Sequence, residues 1–437
     1  MTLIEPKILK GFRDFLPAVE TGRKHVQAVL EKTFESFGFA PIDTPVLEYT
    51  EVLLGKGGGE TDKQLYRFRD NGDRDVAMRF DLTVPFARFM AAHFHDLYLP
   101  FKRYHIAKVF RGENSQRGRY REFTQCDFDS VGADCAGADF EILLLMRQSF
   151  MNLGIQNVKI HLSHRGVFNR AIEALGVESS AVDILRAVDK IKKTGEKEVL
   201  ASLEELCGNK AAAGILDFIR PEATNRETLD KMTRLAGGEG EDTRRVASML
   251  DWMRTMDIGD SFFLDPSITR GLDYYTGIVY ETFLSDLPGI GSVCSGGRYN
   301  DLASLYTREK LPGVGSSIGL DRLLAALEEL GQKERAESRT QVLIFCTNEN
   351  DFARYHQAAR VLREAGLNVE VYPEARKQAH QFAFAEKKGI PLGLFIKPEA
   401  GENCVSLRDL HSRENVDGLD PLKAAAEIKL RLTQRGL

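Results

Sequence analysis

At 437 residues, with 43% apolar and 28% charged residues, the chain has the length of two or three domains and the composition of a soluble globular protein. No apolar run approaches the roughly 20 residues needed to cross a bilayer. The N-terminal MTLIEPKILKGFRDF lacks the apolar core and cleavage site of a secretory signal, so no membrane association is expected. A formal net charge of −5 does not advertise a nucleic-acid binder, yet it leaves room for a local basic face.

Short helical and strand-like pieces alternate up to about Asp139. Gly22–Phe39 carries apolar residues at helical spacing and stops at Gly38. The next stretch, APIDTPVLEYTEVLL, reads as extended, punctuated by Pro41 and Pro45. DVAMRFDLTVPFARFMAAH reads as strand, turn and a helix opening near Pro85. Phe101–Phe110 predicts a strand leading into RGENSQRGRYREFTQCDFD (Arg111 to Asp129). That segment has the pattern of a hairpin: Arg111 at the end of an apolar run, a polar loop with Arg117, Arg119 and Arg121, then Gln125, Asp127 and Asp129 on one face of a returning strand.

From about Asn169 to Asp257 the chain is rich in Ala, Leu, Glu and Lys at helical period, which reads as a helical insertion within a sheet domain. Strand-like runs resume in DSFFLDPSI, GIVYETFLS and GSVCSGGRY. GQKERAESRT (Gly331 to Thr340) is the best linker. Beyond it, strand and helix alternate regularly to PLKAAAEIKLRL, which implies a parallel or mixed sheet covered by helices. The expected organisation is therefore a sheet domain over 1–330 with the insertion at about 169–257, a linker over 331–340, and an α/β domain over 341–437.

Four groups of residues carry chemistry. The Arg111 hairpin sets guanidinium groups against an amide and carboxylates, so it could hold a phosphate ester beside an amino group; solvated surface arginines are the alternative. In RFDLT, Asp81 and Thr83 share a face if extended and could accept from an ammonium group, or could simply cap the following helix. TRGLDYYTG (Thr269 to Gly277) places Arg270 and Asp273 beside Tyr274 and Tyr275; if extended, only one of the tyrosines faces a common pocket. CSGGRYNDL and GVGSSIGLDRLL combine glycines, which admit a close ligand, with Arg322, which can stack on a ring and pair with phosphate.

Other signals carry less. GKGGGE (Gly55 to Glu60) lacks the G-K-[ST] ending of a phosphate loop. His161 and His164 have no third ligand nearby. The cysteines (Cys126, Cys135, Cys207, Cys294, Cys346, Cys404) form no C-x-x-C pair, which suits reduced thiols in a cytoplasm.

In this order the four groups resemble the histidyl-tRNA synthetase family of class II aminoacyl-tRNA synthetases. The Arg111 hairpin resembles motif 2, the run to Arg322 motif 3, and FGFAPIDTPVLE motif 1, the dimer-forming segment. RGLDYYTG and RFDLTVPFAR resemble the histidine-specific segments. The resemblance covers nearly the whole chain and implies an α+β fold: an antiparallel sheet core with a helical insertion, then an anticodon-binding domain. It implies ATP and Mg²⁺, L-histidine and tRNA(His) as ligands, a homodimer, and a cytoplasmic ligase. Carried over residue by residue, Asp81, Thr83 and Gln125 would hold the α-ammonium. Asp129 and Tyr275 would meet the imidazole, with Tyr274 and Tyr299 lining its pocket. Arg111 and Arg270 would flank the α-phosphate, Glu113 would bind the adenine amino group, and Arg322 the γ-phosphate and adenine face. Arg117, Arg119 and Arg121 would meet the tRNA acceptor end, and Arg376, Lys377, Lys387 and Lys388 the anticodon stem. Asp81 and Asp129 stand where many bacterial members have Glu, so the backbone must come closer. A catalytically dead, histidine-binding paralogue that regulates ATP phosphoribosyltransferase is the rival reading. It is disfavoured by Arg111, Arg270, Arg322 and the C-terminal domain.

Overall fold

The computed structural model describes residues 3–55, 63–114, 118–269, 274–331, 338–396 and 404–435. The chain divides into two compact units, Met1–Asp14 with Arg23–Lys333 and Phe15–Gly22 with Glu334–Leu437. Most of the linker expected over 331–340 lies outside the described residues.

The first unit contains eleven strands among its described residues: β1 (Ala40–Pro41), β2 (Leu47–Tyr49), β3 (Arg67–Arg69), β4 (Asp75–Met78), β5 (Phe101–Phe110), β6 (Glu122–Val131), β7 (Val158–His164), β8 (Phe262–Leu264), β9 (Ile278–Leu284), β10 (Cys294–Arg298) and β11 (Gly313–Gly319). Eight of them form one sheet in the order β1-β5-β6-β11-β10-β9-β7-β8. Only β1/β5 and β7/β8 are parallel; every other pair is antiparallel. A second, antiparallel sheet has the order β2-β4-β3.

Strand periodicity decides which face of the large sheet is dry. On β6, Cys126 and Phe128 are fully buried and join the main core with Leu30 and Phe34. The Phe34 and Phe128 rings lie 4.9 Å apart, and burying one such ring contributes about 2–3 kcal/mol. The intervening Gln125, Asp127 and Asp129 therefore project from the opposite face. The β5/β6 register sets Arg103 opposite Asp129, His105 opposite Asp127 and Ala107 opposite Gln125.

Two local expectations change. The extended reading of APIDTPVLEYTEVLL ends early, because Thr50–Leu54 is helical and its Leu53 packs with Ala77, Phe80 and Val84. The first helix begins at Pro17 rather than Gly22 and runs to Ser36, consistent with proline's preference for a first helical position.

The helical insertion lies between β7 and β8. Its longer helices are Arg165–Ala174, Ala181–Val188, Glu196–Ile219, Asn225–Leu235 and Glu241–Thr255. Thr224 and Glu227 form a reciprocal capping box at the start of one of them. A buried ionic knot joins the insertion to the sheet. Asp139, on the helix Ala136–Asn152 and wholly buried, accepts from Arg298 Nε of β10 at 2.8 Å and from Arg245 Nε of the insertion at 2.6 Å.

In the second unit, β12 (Val342–Ile344), β13 (Val369–Val371), β14 (Leu392–Ile396), β15 (Val405–Asp409) and β16 (Asn415–Leu419) have the order β13-β12-β14-β15-β16. The first three are parallel and the last two antiparallel, giving the mixed sheet. The pair β15/β16 was not anticipated. β16 lies at the sheet edge, mostly exposed, and has no apolar alternation to betray it.

Removing one partner of a buried ion pair leaves an uncompensated charge, at a cost of about 3–5 kcal/mol. Asp139→Ala should therefore lower the unfolding free energy by that order, read from urea denaturation. A loss below about 1 kcal/mol would mean that the knot holds nothing together.

Candidate active site

A cavity of about 430 Å³ opens on the sheet face that carries Gln125. Its lining includes Asp81, Thr83, Arg111, Glu113, Arg119, Gln125, Tyr274, Tyr275 and Arg322 from the residues singled out in the sequence. Asp129 and Tyr299 stand outside the lining, and Arg121 is not part of it. Arg117, Arg270 and Asp273 lie outside the described residues, as does most of GKGGGE.

One end of the cavity is acidic. Asp81 is buried and sits in a turn, not a strand: Leu82 has helical dihedrals and the helix Thr83–His93 follows at once. Asp81 Oδ1 accepts from Val84 N at 3.1 Å. The cap uses only one oxygen, and Oδ2 has no hydrogen-bond partner among the described residues. Burial raises the Asp81 pKa to about 6, with Arg111 and Arg103 pulling it back down. Gln125 donates through Nε2 to Ser317 Oγ at 2.7 Å, while its buried Oε1 has no partner among the described residues.

Both tyrosines of the YY pair line the cavity, against the strand-based expectation that only one would. The segment is irregular, so alternation does not apply; the rings meet edge to face at 4.8 Å. Burial raises both phenol pKa values, leaving the hydroxyls protonated at neutral pH. Glycines make room for this wall. A Cβ on Gly297 would sit 2.9 Å from the Tyr275 ring, and one on Gly313 would sit 2.4 Å from the Tyr299 ring. On Gly315 a Cβ would fall 1.8 Å from Asp129 Oδ1. Asp129 is thus held against the sheet, where Tyr299 donates its hydroxyl to Oδ1 and Arg103 Nη2 lies 2.7 Å from Oδ2.

The other end is cationic. Arg111 Nε donates to Phe80 O at 2.9 Å, and its guanidinium lies 5.1 Å over the Phe123 ring. Arg322 leaves the sheet on the helix Leu320–Glu329, and its Nη1 donates to Ser292 O at 2.5 Å. Gly118, at φ +70°, brings the hairpin loop against Arg322: a Cβ there would lie 3.5 Å from the Arg322 Cα. Glu113 O accepts from Arg121 Nε at 3.1 Å, and Arg119 Nη1 lies 3.9 Å from Glu113 Oε2.

Several supporting residues escaped the sequence reading. Asp321, beside Arg322, accepts from Thr124 N and from Arg23 Nη1, both at 2.7 Å, and from Arg13 Nη2. Arg13 in turn lies 3.8 Å over Tyr120, which lines the cavity. Gln64, Lys193 and Ser317 also line it. The alternation of β5 offered a signal for Arg103, but only strand register reveals its acidic partners.

An acidic pocket and a pair of guanidinium groups in one hollow, on a mainly antiparallel sheet, describe a class II aminoacyl-tRNA synthetase. The family profile described as histidyl-tRNA synthetase matches residues 11–323, and one described as an anticodon binding domain matches residues 341–429. The histidine--tRNA ligase of Treponema denticola is 53% identical over 404 residues, covering 91% of this chain and 90% of that protein. That of Treponema pallidum is 46% identical and covers 99% of each. The crystal structure of histidyl-tRNA synthetase from Nostoc superposes with a TM-score of 0.86 at 33% identity, covering 98% of this chain and 100% of that one. The chain belongs to the histidyl-tRNA synthetase family.

The raised Asp81 pKa means that ionising this group costs folding free energy, a penalty that grows as pH rises from about 4 through 6. Asp81→Asn should therefore stabilise the ligand-free protein by on the order of 2–3 kcal/mol at pH 7.5 and by almost nothing at pH 4, while weakening histidine binding. Urea titrations at the two pH values check the first part and calorimetry with histidine the second. Equal stabilisation at both pH values would contradict a buried, charged Asp81.

Proposed function

We propose that this chain activates L-histidine with ATP to form histidyl-adenylate and transfers the histidyl group to the 3′ end of tRNA(His). The carrying observation is the juxtaposition, in one cavity, of the Asp81–Thr83–Gln125 group with Arg111 and Arg322. Relatives named histidine--tRNA ligase, matching over almost the full length, support this reading over the regulatory paralogue.

The nucleophile is the histidine carboxylate, already ionised at pH 7, so the first step needs no general base. Asp81, Thr83 and Gln125 hold the α-ammonium, Asp81 Oδ2 and Gln125 Oε1 being the acceptors left over. Tyr275 and Asp129 meet the imidazole, and Tyr274 and Tyr299 shape that end. Arg111 and Arg270 neutralise charge on the α-phosphate as pyrophosphate leaves. Arg322 takes the γ-phosphate and the adenine face, and Glu113 the adenine amino group. ATP enters with Mg²⁺, which is held chiefly by the phosphates. The protein's part is positioning and electrostatic stabilisation.

Arg117, Arg119 and Arg121 meet the acceptor end. In the second unit Arg376, Lys377, Lys387 and Lys388 are exposed and suit phosphate contacts on the anticodon stem. A homodimer is supported by β2, an edge strand with Leu47 and Tyr49 exposed beside Val46, and by the exposed Phe68 of the same small sheet. No helix among the described residues is long and apolar enough to cross a membrane, and the six cysteines are free. Both fit a cytoplasmic location.

Exchange of labelled pyrophosphate into ATP should depend on histidine and on no other amino acid, and Arg111→Ala should slow it about 10²–10³-fold. Histidine binding without exchange would favour the regulatory paralogue. Separately, Leu47→Asp with Tyr49→Asp should yield monomers in sedimentation velocity; an unchanged assembly would remove β2 from the subunit interface.

A further inference from the structure

We infer that Arg103 is a positioning residue for amino-acid selection: it locks the two halves of the histidine pocket, the Asp81–Thr83 turn and the Asp129 strand, at a fixed separation. The inference rests on the function proposed above.

Arg103 is wholly buried near the start of β5. A guanidinium group cannot shed its proton, so the charge is permanent and must be used or compensated. Its Nη2 contacts both halves of the pocket, lying 2.7 Å from Asp129 Oδ2 and donating to Leu82 O at 3.3 Å. Leu82 is the middle residue of the turn that presents Asp81 and Thr83. Asp127 Oδ2 lies 4.0 Å away. The guanidinium face rests 4.3 Å from the centre of the Phe86 ring, on the helix that this turn begins. One side chain therefore touches the strand that presents Asp129, the turn that presents Asp81, and the helix behind that turn.

The remaining contacts leave Asp129 little freedom. Tyr299 holds its other oxygen, and the space over Gly315 admits no side-chain atom beyond the carboxylate already there. The Arg103–Asp129 approach is close without being an aligned hydrogen bond, and Nε and Nη1 of Arg103 have no hydrogen-bond partner among the described residues. Its grip is thus Coulombic and steric, and the group at that position must be both cationic and wide enough to reach Leu82 O. Lysine satisfies the first requirement and not the second.

The test is pyrophosphate exchange and thermal unfolding of the parent, Arg103→Lys and Arg103→Met. KM for histidine should rise in the order parent, Lys, Met, by about tenfold or more for Met, as expected when a buried partner is removed. KM for ATP should stay within about twofold, since Arg103 touches nothing in the phosphate end. If the Met variant does not fold, the Lys variant carries the same test, because it retains the charge. An unchanged histidine KM in either folded variant, or equal rises in histidine and ATP KM, would overturn the inference. Full rescue by Lys would do so too, since charge compensation alone would then suffice. A parent without histidine-dependent exchange would instead refute the function on which the inference rests.

Discussion

Crowding three carboxylates into a space from which water is excluded is the constraint around which this sheet is built. Asp81, Asp127 and Asp129 are each almost wholly buried, and burial raises the pKa of all three, Asp127 to about 7. Left alone, such a group would take up protons and lose the charge that attracts an ammonium ion. Arg103 opposes this for Asp127 and Asp129, and the Tyr299 hydroxyl does so for Asp129. Gly313 and Gly315 of β11 follow from the same need, because a Cβ on the first would collide with Tyr299 and one on the second with Asp129 itself.

The cavity is divided by sign, and the division follows the topology. Its acidic end is built where β6 meets the turn before the helix Thr83–His93. Its cationic end is built where the β5–β6 loop meets the helix after β11. A ligand with an ammonium group at one end and phosphates at the other is oriented before any reaction begins. Because the attacking carboxylate needs no deprotonation, much of the rate enhancement can come from this alignment. Asp321 braces the cationic end by joining Thr124 of β6 to Arg13 and Arg23.

Much of this was legible in the sequence, and the residues that were not share a reason. The hairpin strands followed from periodicity, since Gln125, Asp127 and Asp129 alternate with Cys126 and Phe128. Arg322 could be singled out because a glycine-rich run leads into the helix that carries it, and Glu113 only through the family resemblance. Arg103 and Asp321 could not, because each is defined by partners far away in the chain: Asp129 lies opposite Arg103 only through strand register, and Arg13 is 308 positions from Asp321. The tyrosine pair marks the limit of strand alternation: only the family resemblance puts Tyr274 and Tyr275 in one pocket, and the irregular backbone there lets the two neighbours share one wall. At the Asp81 turn the capping reading is met by Oδ1 on Val84 N, and it leaves Oδ2 without a hydrogen-bond partner among the described residues.

The insertion leaves the sheet after β7 and returns in β8, its immediate parallel neighbour. Parallel neighbours require a crossover of some kind, and here that obligatory connection has become an entire helical subdomain. It leaves at His164 and returns at Phe262, which pairs with Ile160, on the two strands at the sheet edge opposite β1. The subdomain can therefore lengthen, shrink or diverge without shifting any register across β5, β6, β10 and β11. The subdomain is nevertheless tied to the chemistry, because its Asp189 and Lys193 line the cavity and the Asp139 knot fastens it to the sheet.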